Sequence, residues 1–218
     1  MRNWINLFEH IAVPSFVDHI TDDLVDEIIS SGKWVEHGTD LEDAWDQGSF
    51  EECVGGLPEE FWESSYDEIK TTPEFRKCVS VVAHNMASQA YDEIVNGNKY
   101  DKIPPLTSES ILYRGIAGEF DENKPIGIFW SMSVDQAAGR FSTADGNTGG
   151  YLFMSNARSV QINWEETIRS RMDYSNGCDE AEIQLVKGSP IEARLYKVTF
   201  TGMGRPTLTF IREFNSNA

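Results

Sequence analysis

Three places in the second half of the chain hold side chains that could do chemistry. Arg114 sits in an otherwise apolar run, Ile111-Leu112-Tyr113-Arg114-Gly115-Ile116. A charge there is costly unless it is paired or faces a cleft. The planar guanidinium fork is also the side chain best shaped to hold a pyrophosphate. The plain alternative is an edge-strand arginine in a surface ion pair. The second place is Phe129-Trp130-Ser131-Met132-Ser133-Val134-Asp135, an apolar strand that ends in two hydroxyls just before a helix. Ser133 suits the N-cap of that helix, which leaves Ser131 unexplained at the strand end. The third is Glu180-Ala181-Glu182, leading into Ile183-Gln184-Leu185-Val186. At strand spacing both carboxylates lie on one side of the chain. Two adjacent carboxylates repel, so a site that uses both would explain them; a solvated strand start in an acidic protein is the alternative.

Other chemistries find no anchor. His10, His19, His37 and His84 all precede the strand-rich half, and their spacing matches no metal site. Cys53, Cys78 and Cys178 form no CxxC pair, and an odd, sparse count reads as reduced thiols rather than a disulfide framework. No dinucleotide-binding glycine fingerprint and no phosphate-binding glycine loop occurs.

The elements that must position these residues fall into two textures. The first half reads as helical. Ile20, Leu24, Ile28 and Ile29 recur at helix spacing from Asp18 to Ser31, before Gly32. Residues 37–66 are acidic and aromatic, with Trp45, Phe50, Phe61, Trp62 and Tyr66 expected to pin short helices and loops to a core. Pro73 to Val95 is the strongest helix, capped by Thr72 and stopped by Asn96-Gly97-Asn98. From residue 111 the runs are short and β-like: Ile111–Ile116, Gly127–Ser131, Tyr151–Met154, Val160–Ile162, Ala181–Val186, Ile191–Phe200 and Thr207–Phe214. One short helix, Val134 to about Phe141, is expected among them. Helices first and strands later predict an α+β fold, with helices packed on a mixed or antiparallel sheet. The division expected is an acidic, mainly helical lobe over residues 1–105 and a β-rich core over 106–218, the two forming one compact unit.

At 218 residues the chain can bury a substantial core. Its net charge of −18 is uneven. Residues 1–105 hold 7 Lys and Arg against 22 Asp and Glu, a balance of −15; residues 106–218 hold 11 against 14, a balance of −3. Generic nucleic-acid binding needs basic patches, so the first half argues against it. Such a half serves solubility by default; docking to a basic partner and imitation of DNA are the functional readings. No run approaches the roughly 20 apolar residues of a membrane span. The start, Met1 to His10, has no clean apolar segment and no small-residue cleavage site, so a cytoplasmic protein is expected.

Taken together and in this order, Tyr113-Arg114-Gly115, Ser131-Met132-Ser133 and Glu180-Ala181-Glu182 resemble the motifs of the Arg–Ser–Glu class of mono-ADP-ribosyltransferases. The flanks are similar too: Asp135 to Phe141 resembles the helix after the serines, and Lys187-Gly188-Ser189-Pro190 the turn after the catalytic strand. The resemblance covers roughly residues 106–200 and is nearest to intracellular bacteriophage-encoded transferases of the Alt/Mod type. Met132 departs from it, because the middle of the serine motif is usually a small Thr or Ser. The sister class built on His and Tyr is disfavoured, since no His follows residue 84.

The resemblance implies an ADP-ribosyltransferase core that uses NAD⁺ as co-substrate and no metal. Glu182 would stabilise the ribose cation and bind its 2′-hydroxyl. Arg114 would hold the phosphate and ribose side, and Ser131 would orient Glu182. Gly115 would admit the nicotinamide amide to the backbone. Ser133 belongs to the same motif, and Phe141 is a candidate ring over the nicotinamide. Glu180 would serve the acceptor, and a Glu-x-Glu pair implies arginine on a host protein in the host cytoplasm, docked through the acidic lobe. Two other functions compete: a non-enzymatic acidic inhibitor or DNA mimic bound to a basic host partner, and an NAD⁺ glycohydrolase with water as acceptor.

Overall fold

A computed structural model describes residues 13–34, 39–50, 53, 61, 64–98, 103–142, 149–172, 181–200 and 206–218. Within its helices, the side chains of residues 13–16, 18–20, 140 and 141 are outside the description. The chain divides into two units. One contains Glu93–Thr167 and Gly177–Ala218; the other contains Glu9–Asp92 and Ile168–Asn176.

The first unit is built on a six-stranded sheet: β1 (Ile111–Ala117), β2 (Phe129–Ser131), β3 (Gly149–Asn156), β4 (Glu182–Gln184), β5 (Pro190–Thr199) and β6 (Thr207–Asn217). The order across the sheet is β4-β2-β1-β3-β5-β6. Every neighbouring pair is antiparallel, so the sheet is not mixed and the α+β class holds. Alternation along the strands gives each face its own packing. Ala137 and Ala138 pack with Leu152 and Val198, and half-buried Tyr113, Met154, Tyr196 and Leu208 flank them. On the opposite face Phe153 and Phe214 stack with Phe120 at ring separations of 5.0 and 5.3 Å.

The helix expected after the serines begins at Val134 and takes π form over Gln136–Phe141. Ser133 caps it as expected: its Oγ accepts the Gln136 N–H at 3.3 Å. Two expectations need correction. Val160–Ile162 is not a strand; it follows a 3₁₀ turn, Ala157–Ser159, and makes a single bridge from Ile162 to Leu185. A further helix, Trp164–Met172, was not expected. Its buried positions are Thr167, Ile168, Arg171 and Met172, two of them polar, so the apolar period is faint. Asn163 caps it, accepting the Glu166 N–H on Oδ1 at 3.3 Å.

The second unit carries α1 (Val13–Ser31), α2 (Leu41–Asp46), α3 (Tyr66–Ile69) and the first part of α4 (Pro73–Asn96). α1 stops where Gly32 turns left-handed, with its N–H bonded to the Ile28 carbonyl at 2.9 Å. Thr72 caps α4 through the Phe75 N–H at 3.2 Å. The expected aromatic pins are present: Trp45 meets Phe50 at 5.6 Å and Phe75 at 5.4 Å, and Phe50 and Phe75 are buried. Trp62 lies outside the described residues. The cysteines correct the reduced-thiol expectation: Cys53 and Cys78 are joined as a disulfide, Cα to Cα 5.5 Å. Sequence spacing carries no sign of this, because the fold alone sets which thiols meet.

Candidate functional site

A cavity of about 310 Å³ lies where β2, β1 and β4 meet, lined by Tyr113, Arg114, Gly115, Phe129, Trp130, Ser131 and Glu182. The register explains which side chains gather there. Tyr113 pairs with Ser131, and Ser131 pairs with Glu182. Cross-strand partners share a face, so Tyr113, Ser131 and Glu182 form one row. Alternation puts the Arg114 side chain on the other face of β1, opposite Phe153.

Arg114 nonetheless borders the cavity, because β1 and β2 part beside it. Their ladder consists of the single pair Tyr113–Ser131. Continued, that register would set Gly115 against Phe129. Instead the guanidinium occupies the gap: Nε donates to the Ile126 carbonyl at 2.7 Å, and Nη1 donates to the Phe129 carbonyl. Burial draws the Arg114 pKa below its ordinary value, and the Glu182 carboxylate opposes that shift. Among the described residues, the hydrogen-bond partners of Arg114 are main-chain carbonyls rather than the carboxylate of a surface ion pair.

The segment 126–129 that receives the guanidinium is itself fixed at every carbonyl. Ile126 and Phe129 bind Arg114, Gly127 accepts the Trp130 indole N–H at 3.0 Å, and Ile128 accepts the Leu185 N–H at 2.9 Å. Gly127 has φ +100, and a Cβ there would lie 2.9 Å from Arg114 Nη2. Only glycine allows both the turn and the guanidinium. That turn also explains why β2 starts at Phe129 rather than at Gly127.

Ser131 is 2% exposed, and its Oγ accepts the Ser133 N–H at 2.9 Å. Thus the first serine shapes the turn into the helix, and the second caps the helix. Glu182 is half-buried and accepts the Gln184 amide N–H on Oε1 at 3.0 Å. β4 is an edge strand whose outer side is covered: Gln184 N–H donates to Thr167 Oγ1 at 3.0 Å, Asn163 N–H to the Gln184 carbonyl at 2.8 Å, and Val186 N–H to the Gln161 carbonyl at 2.8 Å.

The expected strand Ala181–Val186 is shortened to Glu182–Gln184. Ala181 is fully buried with φ 49, a left-handed conformation uncommon without glycine. Period-two alternation needs extended backbone, so it does not carry across Ala181 to Glu180. Glu180 itself lies outside the described residues, as does the Phe141 side chain. Gly115 lines the cavity; Ser133 adjoins it through Ser131.

Four residues escaped the sequence reading. Tyr113 is Ser131's direct neighbour, and burial raises its phenol pKa. Phe129 is 47% exposed at the cavity wall. Gly127 and Gln184 fix Arg114 and Glu182. Gln184 had a legible signal, an amide in an apolar run, the same sign that singled out Arg114.

Among the described residues, no group of three or more His, Cys, Asp or Glu could hold a metal ion, and no helix is long and apolar enough to cross a membrane. The cavity offers a half-buried cation, a half-buried carboxylate and an exposed ring. Compared with protein-family models, curated proteins and solved structures, the chain matches none.

Proposed function

We propose that this chain is a mono-ADP-ribosyltransferase that takes ADP-ribose from NAD⁺ and passes it to a protein arginine. One observation carries the reading: Arg114, Ser131 and Glu182, far apart in sequence, border a single cavity, with Ser131 and Glu182 in direct register. In the reaction, the bond from ribose C1′ to the nicotinamide nitrogen breaks, and nicotinamide leaves with the electron pair. Positive charge develops on the ribose, as in glycoside transfer. Glu182 is the carboxylate that would face it, and such a charge is worth most in a site closed to water. Arg114 has five N–H donors and spends two on carbonyls, so the rest can take a phosphate oxygen. The acceptor nitrogen then bonds to C1′ and loses a proton, the task assigned to Glu180 by the resemblance to Glu-x-Glu transferases. The same resemblance supports a bacteriophage protein acting on host targets in the host cytoplasm.

The test is incubation with labelled NAD⁺ and a cell lysate, followed by mass spectrometry of the modified residues. Glu182→Gln should lower turnover by roughly a hundredfold or more with its melting temperature unchanged. Wild-type labelling by that variant would sink the proposal. Label that appears only as free ADP-ribose would make the chain an NAD⁺ glycohydrolase.

A second reading rests on the balance of −15 over residues 1–105. It makes the chain a non-enzymatic ligand of a basic partner, or an imitation of DNA. Absent NAD⁺ turnover, with loss of effect on neutralising those acids, would select it.

A further inference from the structure

We infer that Gln184 is a positioning residue for the Glu182 carboxylate, held in place by Asn163 and Thr167. The inference rests on the proposed role of Glu182 but concerns a side chain that the motif resemblance does not include. Glu182 and Gln184 stand two apart on β4, on one face, and both side chains are long enough to meet. The Gln184 amide donates to Glu182 Oε1 at 3.0 Å. Gln184 is 9% exposed in a strand otherwise followed and preceded by buried aliphatics, so its polar group is bought at a desolvation cost that this bond offsets.

The main chain that carries this side chain is also fixed from behind. Thr167 is fully buried; its Oγ1 donates to the Asn163 carbonyl at 2.7 Å and accepts the Gln184 N–H at 3.0 Å. The Asn163 N–H in turn binds the Gln184 carbonyl. Both main-chain polar groups of Gln184 are therefore held by the start of the helix Trp164–Met172. That leaves little freedom for β4 to shift, and the carboxylate keeps one orientation towards the Ser131 row. Glutamine is suited to this because it donates at every pH and does not ionise.

Two variants test this. Gln184→Met keeps the length and removes the donor. The expected result is a roughly tenfold lower kcat, KM for NAD⁺ within about twofold, and an unchanged melting temperature. Gln184→Glu sets two carboxylates in contact. Such a pair shares a proton, so the acid limb of the rate profile should move to higher pH. A residue that merely packs would move stability but not that limb. A readout without turnover is the ¹³C resonance of the Glu182 carboxyl, assigned by its loss in Glu182→Gln. It should shift in Gln184→Met. An unmoved resonance, with kcat and the acid limb as in the wild type, overturns the inference while leaving the transferase reading intact. If the wild type turns over no NAD⁺, the transferase reading fails and the resonance alone decides the inference.

Discussion

Arg114 both lines the cavity and holds the turn beside it. Its guanidinium takes the Phe129 carbonyl, which a continued ladder could have used, and the Ile126 carbonyl beyond the turn. Replacing it with lysine keeps a charge but not the fork. Arg114→Lys should lose about 1–3 kcal/mol of stability by urea denaturation, because a carbonyl is left without its donor. It should also raise KM for NAD⁺. Gly127 permits a sharper comparison. Gly127→Ala meets two penalties, φ +100 and a Cβ 2.9 Å from Arg114 Nη2. Gly188→Ala meets only the first, with φ +79 and nothing within 4 Å. Each should destabilise by about 1–2 kcal/mol through the left-handed backbone. Only Gly127→Ala should weaken NAD⁺ binding, as measured by titration calorimetry. Equal affinity in the two variants would show that Arg114 is not held by that close approach.

At the scale of elements, β4 is the vulnerable piece. It has three residues, and its outer edge depends on Thr167. Thr167→Val keeps the shape and removes the hydroxyl that accepts the Gln184 N–H. The expected cost is about 1–3 kcal/mol in urea denaturation. Hydrogen exchange should quicken at the Gln184 amide before it quickens in β3; unchanged exchange at that amide would show that β4 is held by β2 alone. The same strand marks the limit of what the sequence made legible. The apolar runs of β1, β3, β5 and β6 were readable because they are long and bounded by turn residues. So were α1 and α4, whose period is broad and whose ends carry Gly32 and Thr72. The order of Arg114, Ser131 and Glu182 along the chain was readable as well. What brings them together was not. The register of β2 against β4, the left-handed Ala181, the turn at Gly127 and the helix Trp164–Met172 depend on contacts between distant residues, which no local period encodes.

At the scale of the whole molecule, chemistry and charge are segregated. The cavity belongs to the sheet unit, whereas residues 1–105 carry most of the −18 net charge. Net charge of that size favours solubility but works against compactness through self-repulsion. The Cys53–Cys78 bond opposes that repulsion in the other unit, where it closes a loop with a sequence separation of 25. The chain-entropy account gives such a loop about 3.5 kcal/mol, by limiting the unfolded chain. In the oxidised protein, alkylation under denaturing conditions should modify one of the three cysteines, and three after reduction. Reduction should then lower protection in α1 and α4, read by hydrogen-exchange mass spectrometry. Peptides covering β1 and β3 should keep theirs, because the bond lies in the unit that does not contain them. Three alkylated cysteines before reduction would remove the bond from the account, and the buried core around Ile28, Phe50, Phe75 and Val79 would then have to hold the acidic unit together.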